Sequence, residues 1–81
     1  MNLEKEQQRG HQAKRILEDE IFVEAVQKVS AELRQEWLSS PIRDTEGREK
    51  IYMMEKMLNV LLVQIQSVME TGKLASKQIN K

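Results

Sequence analysis

The stretch from Ile51 to Met69 constrains the fold of this chain more than any other part of its sequence. Apolar side chains recur along it at alternating spacings of three and four residues, which is typical of a helix that packs lengthwise against other helices. This row consists of Ile51, Met54, Leu58, Leu61, Ile65 and Val68. Apolar residues also spread beyond the row, so that Asn59 is the one polar residue between Met57 and Val63. We therefore expect a long helix with more apolar surface than one short chain can cover.

The composition predicts that the whole chain is α-helical. Aromatic residues make up 4% of the 81 residues, and there are one proline and three glycines. Sheet proteins depend on aromatic and β-branched side chains, and their turns depend on glycine and proline. A chain of this length forms one domain at most and buries only about 60–65% of its unfolded surface. An isolated core would therefore be marginal.

Helix signals divide this single helical domain, residues 1–81, into five segments. We predict an arm at 1–18, a helix at 19–39, a connection at 40–44, a long helix at 45–72 and a frayed basic tail at 73–81. The connection begins at Ser40 and Pro41, Asp44 or Thr45 caps the long helix, and Gly72 is suited to its end. The resulting fold is an antiparallel αα-hairpin with an N-terminal helical arm, oligomeric through the second long helix. The pattern leaves open whether the arm and the first helix form one continuous rod.

The arm is polar and is interrupted by Gly10. In the middle of a helix, glycine costs about 1 kcal/mol relative to alanine, so we interpret residues 1–18 as weakly packed. The alternative, which we favour less, is that Gly10 and Ala13 allow another helix to approach closely.

The surplus apolar surface predicts assembly. Two helices bury one stripe each against the other, whereas the long helix carries about twice that surface; each large side chain left in water forgoes about 1.5–3 kcal/mol. We expect a homo-oligomer, or a complex with another protein; the alternative is a monomeric three-helix bundle. Trp37 is interpreted as an interface anchor or as a plug that closes the end of the hairpin. The predicted interface comprises Met54, Met57, Leu58, Val60, Leu61, Leu62, Ile65 and Val68.

Catalysis, cofactors and metals are not expected. The chain has no cysteine and a single histidine, His11, so that thiol catalysis and cysteine-ligated zinc are excluded. The 13 basic and 13 acidic residues cancel, so that no long-range field attracts DNA or a membrane. Contact with nucleic acid is therefore a less favoured role for the basic residues of the arm, which are Lys5, Arg9, Lys14 and Arg15. No membrane span and no signal peptide are recognised, so we expect a soluble protein that is not secreted.

Three segments carry a resemblance to a known group of proteins. They are Ser39-Ser40-Pro41-Ile42-Arg43-Asp44-Thr45-Glu46-Gly47-Arg48-Glu49 with its continuation Lys50-Ile51-Tyr52, then Met69-Glu70-Thr71-Gly72-Lys73-Leu74-Ala75, and Gly10-His11-Gln12-Ala13-Lys14-Arg15. In these segments the chain resembles small helical proteins of tailed bacteriophages that are encoded among structural and DNA-packaging genes. The resemblance implies an accessory protein of virion assembly or DNA packaging, located in the host cytoplasm or in the virion.

Within this group, the small terminase subunit is one comparison. Such subunits form rings through helical hairpins and hold DNA with a separate basic N-terminal domain. The present chain has a predicted hairpin but departs from the pattern because it lacks a recognisable DNA-reading domain. The first hypothesis is therefore a non-enzymatic self-assembly protein. The alternatives are a packaging-related DNA-binding protein and a small inhibitor or adaptor that docks on a host protein.

Overall fold

A computed structural model gives the structure of residues 2–80, which form three α-helices and no strand. Helix α1 spans Leu3–Glu18, α2 spans Glu20–Ser39 and α3 spans Thr45–Ile79. The prediction of an all-α fold is confirmed. The two ends of the predicted segmentation, Met1 and Lys81, lie outside the described residues.

Helices α1 and α2 are separated by a single residue, Asp19. Its backbone is extended, with φ −62° and ψ 126°, while its N–H still donates to the carbonyl of Ile16 at 3.2 Å. The Asp19 carboxylate accepts a hydrogen bond of 2.8 Å from the backbone N–H of Phe22. Because one residue ends α1 and caps α2, the arm and the first helix are two helices and not one continuous rod.

Serine and aspartate side chains define the connection between α2 and α3. At the end of α2, the Trp37 carbonyl accepts from the Ser40 hydroxyl at 2.7 Å and from the Ser40 N–H at 3.3 Å. Asp44 caps α3, as its carboxylate accepts from the Gly47 N–H at 3.0 Å. Of the two capping residues that the sequence suggests at this point, Asp44 and Thr45, the structure uses Asp44.

The C-terminal part of α3 contradicts the predicted boundary at residue 72. Helix α3 continues through Gly72 to Ile79, where the N–H of Asn80 donates to the Ser76 carbonyl at 3.1 Å. Residues 73–79 are therefore helical rather than a frayed tail. The physical reason is that α1 packs against this end of α3, and tertiary packing stabilises a helical turn that is weak in isolation.

Helix α1 runs along the C-terminal half of α3 in the opposite direction. Gly10 lies against Gly72, and the Gln7 amide donates to the Ser76 hydroxyl at 2.9 Å. An alanine Cβ placed on Gly10 would lie 2.6 Å from the Gly72 Cα, which is closer than real Cβ contacts. The less favoured interpretation of Gly10 is therefore the one that the structure shows, with α3 of the same chain as the approaching helix.

Helix α2 runs along the N-terminal half of α3, also in the opposite direction. Near the connection, the Arg48 guanidinium lies 4.2 Å above the centre of the Trp37 ring. Farther along, Ser30 of α2 and Leu62 of α3 line the same groove. Helices α1 and α2 thus follow α3 one after the other along its length.

The result is a long, thin molecule with little interior. Its extents are 57 × 24 × 15 Å, and its radius of gyration is 17.4 Å, against about 12 Å for a compact domain of this length. Within residues 2–80, the buried apolar side chains are Ala13, Leu33, Ile51 and Ala75. The helices therefore form a single layer that has two broad faces open to solvent.

Candidate interaction surface

The apolar surface of α3 divides into two parts. The inner row faces α1 and α2: Ile51 and Ala75 are buried, Gly72 is closed off by Gly10, and the other members are half-buried. The inner row comprises Ile51, Leu58, Leu62, Ile65, Gly72 and Ala75. A second set stays largely in solvent, and we call it the methionine flank. It comprises Met53, Met54, Met57, Val60 and Leu61.

Every side chain of the methionine flank keeps between 42% and 62% of its surface exposed. Members three or four residues apart lie one above the other on a helix, so the flank is a continuous strip along α3. Neither α1 nor α2 covers it, because each packs against the inner row about a quarter-turn away. The folded chain therefore presents an uninterrupted apolar strip to solvent.

The predicted apolar row of α3 is only partly the row that packs inside the chain. Ile51 is buried, and Leu58, Ile65 and Val68 are half-buried, in agreement with a packing role. Met54 and Leu61, however, are more than half exposed. The row that packs inside the chain differs from the predicted row because it includes Leu62 and Gly72. Met54 and Leu61 therefore belong to the methionine flank.

The eight predicted interface residues accordingly fall into two groups. Four of them, Met54, Met57, Val60 and Leu61, lie on the exposed methionine flank. The other four are half-buried in grooves between helices: Leu58 and Leu62 beside Ser30 and Tyr52, and Ile65 and Val68 beside Arg9 and Ile16. Met53 was absent from the prediction although it is 58% exposed and extends the flank by one position.

The apolar strip continues from α3 onto the helix that lies beside it. Ile16 of α1 is 45% exposed and lines a groove together with Gln64 and Val68 of α3. A neighbouring groove joins Ile16 to Phe22 at the start of α2. Gln64 lies one helical turn beyond Val60 and Leu61, so this side of the molecule forms one broad face that is apolar in its middle.

The opposite broad face is more polar. Its groove combines Leu58 and Leu62 with five residues that carry polar groups. These are Ser30, Tyr52, Glu55, Lys56 and Asn59. The Lys56 ammonium lies 5.7 Å from the centre of the Tyr52 ring, which keeps the aromatic surface partly covered. The two faces therefore differ in chemistry, and the face with the methionine flank is the candidate interaction surface.

Trp37 combines features of both interpretations that the sequence allows. It lies at the connection end of the α2–α3 pair, where one ring face is covered by Arg48, and 40% of its surface remains exposed. The Nε of Arg48 is buried and has no hydrogen-bond partner. Stacking against the indole is thus the main interaction that the structure gives this guanidinium. The Trp37–Arg48 contact was not predicted from the sequence. The signal for it is the position of the two residues, because Trp37 lies shortly before the connection in sequence and Arg48 shortly after it.

The basic residues of the arm do not form one patch. Lys5 and Arg9 line a groove with Glu6, Val68 and Thr71, where Glu6 offsets part of their charge. Arg15 lies in the groove that contains Gln12 and Ile16. Lys14 instead forms an ion pair of 4.0 Å with Glu18 on its own helix. The structure therefore brings Lys5 and Arg9 together but separates them from Lys14.

The remaining features of residues 2–80 concern metal ligands, the single histidine and the apolar character of the helices. No three His, Asp or Glu side chains between residues 2 and 80 are grouped to hold a metal ion. His11 is exposed on α1. None of the three helices combines the length and apolar character needed to cross a membrane. No protein-family model, curated protein or solved structure matches the chain.

Proposed function

We propose that this chain is a non-enzymatic helical protein that self-assembles through the methionine flank. The observation that carries the proposal is the exposure of the flank after α1 and α2 have packed against α3. Met57 is 62% exposed in the middle of the strip. Contiguous apolar strips with polar surroundings are typical of surfaces that bind protein, and unbranched methionine side chains adapt to an opposing surface.

The total surface area supports the same proposal. The chain exposes 6868 Å², whereas a compact monomer of its mass, 9.5 kDa, exposes about 5,000 Å². A standard interface covers about 800 Å² on each partner. The surplus is therefore large enough for one or two interfaces, and a second copy of the chain supplies a surface of matching length and character.

The proposed setting is virion assembly or DNA packaging in a bacteriophage-infected cell. Its support is the sequence resemblance carried by the segments around Gly10, Lys50 and Met69. A one-layer helical molecule 57 Å long suits such a role, since it has a side for association and leaves the connection end and the opposite face for other components.

Light scattering on the full chain, coupled to size-exclusion chromatography, tests the proposal. At micromolar concentration we expect a mass of at least twice 9.5 kDa for the wild type. Leu61→Asp places a charge in the middle of the flank and should return the mass to that of the monomer. A well-folded wild-type chain that stays monomeric at this concentration would overturn the proposal.

Ile42→Asp is the matched control for Leu61→Asp. Ile42 lies at the connection and is 84% exposed, so the same charge is introduced away from the flank. We expect Ile42→Asp to keep the wild-type mass. Circular dichroism on both variants separates dissociation from unfolding, because a dissociated but folded chain keeps its helical signal.

A further inference from the structure

The methionine flank has the same apolar pattern in both directions from its centre. Counting from Met57, Met54 and Met53 lie three and four residues before it, and Val60 and Leu61 lie three and four residues after it. Seven residues away on either side, polar side chains end the strip; these are Lys50 and Gln64. The flank is thus symmetric about Met57 in its distribution of apolar and polar residues.

Helix α3 can pack against α3 of a second copy in two ways, antiparallel or parallel, and this symmetry is a condition for the first. In an antiparallel pair with its two-fold axis at Met57, residues at equal distances from the axis face each other. Met53 then faces Leu61, Met54 faces Val60, and the polar ends meet each other. A parallel pair needs no such symmetry, because it places each residue beside its own copy. The observed pattern is therefore the one that an antiparallel contact requires.

Charge at the two ends of the flank favours the same orientation. At the connection end, Glu46 and Glu49 border the groove that contains Met53 and Met54, where Lys50 offsets one of the two negative charges. This end of the flank is therefore acidic on balance.

The other end of the flank is basic on balance. Beside Val68, the groove contains Lys5 and Arg9, where Glu6 offsets one of the two positive charges. Glu46 and Val68 lie eleven residues before and after Met57. An antiparallel pair thus brings the acidic end of each copy to the basic end of the other.

A parallel pair would bring like charges together at both ends. Exposed ion pairs add little affinity, but repulsion between like charges selects against the wrong arrangement. The dipoles of two antiparallel α3 helices are also opposed, which is the favourable arrangement for neighbouring helices. The apolar pattern meets the requirement of an antiparallel pair, and the distribution of charge selects that pair over the parallel one.

We infer that two copies of this chain associate antiparallel through the methionine flank, with the two-fold axis at Met57. The inference rests on the self-assembly proposed above and specifies its geometry: the occupant of the surface is the same flank of a second copy. Each copy contributes an acidic end and a basic end. The pair therefore contains two identical charged junctions, and at each junction the acidic end of one copy faces the basic end of the other.

Engineered cysteines test the orientation directly, because the chain has no cysteine of its own. Full-length chains carrying Met53→Cys and Leu61→Cys, one of them tagged, are mixed and oxidised under mild conditions. We expect the mixed pair to form a disulfide about tenfold faster than Met53→Cys chains alone, since only the mixed pair lies within bonding distance. Met57→Cys is the control for reactivity, as it faces its own copy in either orientation.

Light scattering on the unmodified chain separates failure of the inference from failure of the proposed function. A monomeric wild type would overturn both. If the wild type is oligomeric while Met53→Cys chains crosslink to one another as fast as the mixed pair does, the antiparallel orientation is wrong and self-assembly stands. An oligomer in which neither combination crosslinks would also overturn the orientation.

A charge exchange gives a second, independent readout. Arg9→Glu alone and Glu46→Arg alone should each raise the dissociation constant several-fold, because each creates a repulsive pair at both junctions. An equimolar mixture of the two variants should associate about as tightly as the wild type, because both junctions of the mixed antiparallel pair join opposite charges. A parallel pair predicts a different result, since like charges already meet in its wild type: each variant alone would bind no more weakly than the wild type, and the mixture would bind more tightly than the wild type. Either of these two results would overturn the inference. Equal association of mixture and single variants would overturn the inference.

Discussion

Helix α3 packs against α1 in its C-terminal half and against α2 in its N-terminal half, and the two helix pairs are built from residues of different size. The α1–α3 pair buries Gly10, Ala13, Gly72 and Ala75, so that the two backbones lie in direct contact. The α2–α3 pair buries the larger side chains of Leu33 and Ile51. One helix thus forms a close contact with one neighbour and a wider contact with the other.

The difference explains where the chain keeps apolar surface for association. Small residues allow the α1–α3 pair to fill its interface with backbone. The large apolar side chains of α3 that stay exposed at that end, Leu74 at 61% and Ile79 at 40%, are five residues apart and do not form a strip. In the α2–α3 half, large side chains surround more of α3, and a single neighbouring helix covers only the inner row. The methionine flank lies in this half, where 42–62% of each of its side chains stays exposed.

The largest expected effect follows from enlarging Gly10. In Gly10→Leu, the new side chain would meet the Gly72 backbone, which cannot rotate away as a side chain can. We expect a loss of about 3 kcal/mol in the free energy of unfolding, which is the upper end for overpacking. Amide hydrogen exchange should show loss of protection in α1 and in residues 69–79, while α2 keeps its protection.

His11→Leu is the matched control for Gly10→Leu. His11 is the next residue along α1 and is exposed, so it receives the same side chain without the contact to α3. We expect its stability to stay within about 0.5 kcal/mol of the wild type. Equal protection of α1 in the two variants would show that the close approach of the backbones is not what holds α1 in place.

A smaller effect is expected in the wider pair. Leu33 is the buried side chain of α2, at 8% exposure. Leu33→Ala should lower the free energy of unfolding by about 2 kcal/mol, at the low end for buried leucine, because this pair has only one layer and can partly close the cavity. Thermal unfolding at fixed protein concentration measures the loss.

The control here is Leu38→Ala, five residues along the same helix and 69% exposed. Its effect should be about 0.5 kcal/mol or less. A loss for Leu33→Ala as large as that of Gly10→Leu would remove the energetic distinction between the two pairs.

The two pairs also differ in how far the sequence predicts them. Apolar periodicity predicts the all-α fold and the large members of the inner row, such as Ile51 and Leu58, because large side chains produce the pattern. The sequence limits the cap of α3 to Asp44 or Thr45, because each carries a side-chain oxygen that can accept from the first helical turn. The exposure of Met57 and Val60 was expected because α3 carries more apolar surface than one neighbouring helix can cover.

The α1–α3 pair could not be predicted in the same way, for a physical reason. Gly72 and Ala75 carry almost no apolar surface of their own, so their burial leaves no signal in a hydrophobicity pattern. Glycine near the end of a periodic segment is typical of a helix terminus, which led to the wrong boundary at residue 72. The signal that was present is the pair of small residues Gly10 and Ala13, three apart on one face of α1.

Asp19 joins the two regions, and its removal tests whether they are independent. Asp19→Ala removes the carboxylate that accepts from the Phe22 N–H and should cost about 1 kcal/mol. Asp19→Asn keeps an oxygen at this position and should recover most of the loss. Faster amide exchange at the start of α2 in the alanine variant, measured against the asparagine variant, identifies the cap as the cause. A stabilised Asp19→Ala variant would indicate instead that the break between α1 and α2 is imposed by packing on α3.

The smallest expected effect concerns the connection end of the α2–α3 pair. Arg48→Met keeps a flexible apolar chain over the Trp37 ring and removes the guanidinium, whose centre lies 4.2 Å from the ring centre. We expect a loss of about 0.5–1 kcal/mol in the free energy of unfolding, as for other partly exposed cation–π contacts, together with a change in the fluorescence of the single tryptophan.

Arg43→Met is the control, because it removes the same charge from the same connection at an exposed position. If both variants unfold at the same temperature as the wild type, Leu33 and Ile51 hold this pair together without help from the connection. The wider pair would then depend on a few large side chains alone. Burial of the neighbouring methionine flank by a second copy would therefore contribute a larger share of its stability.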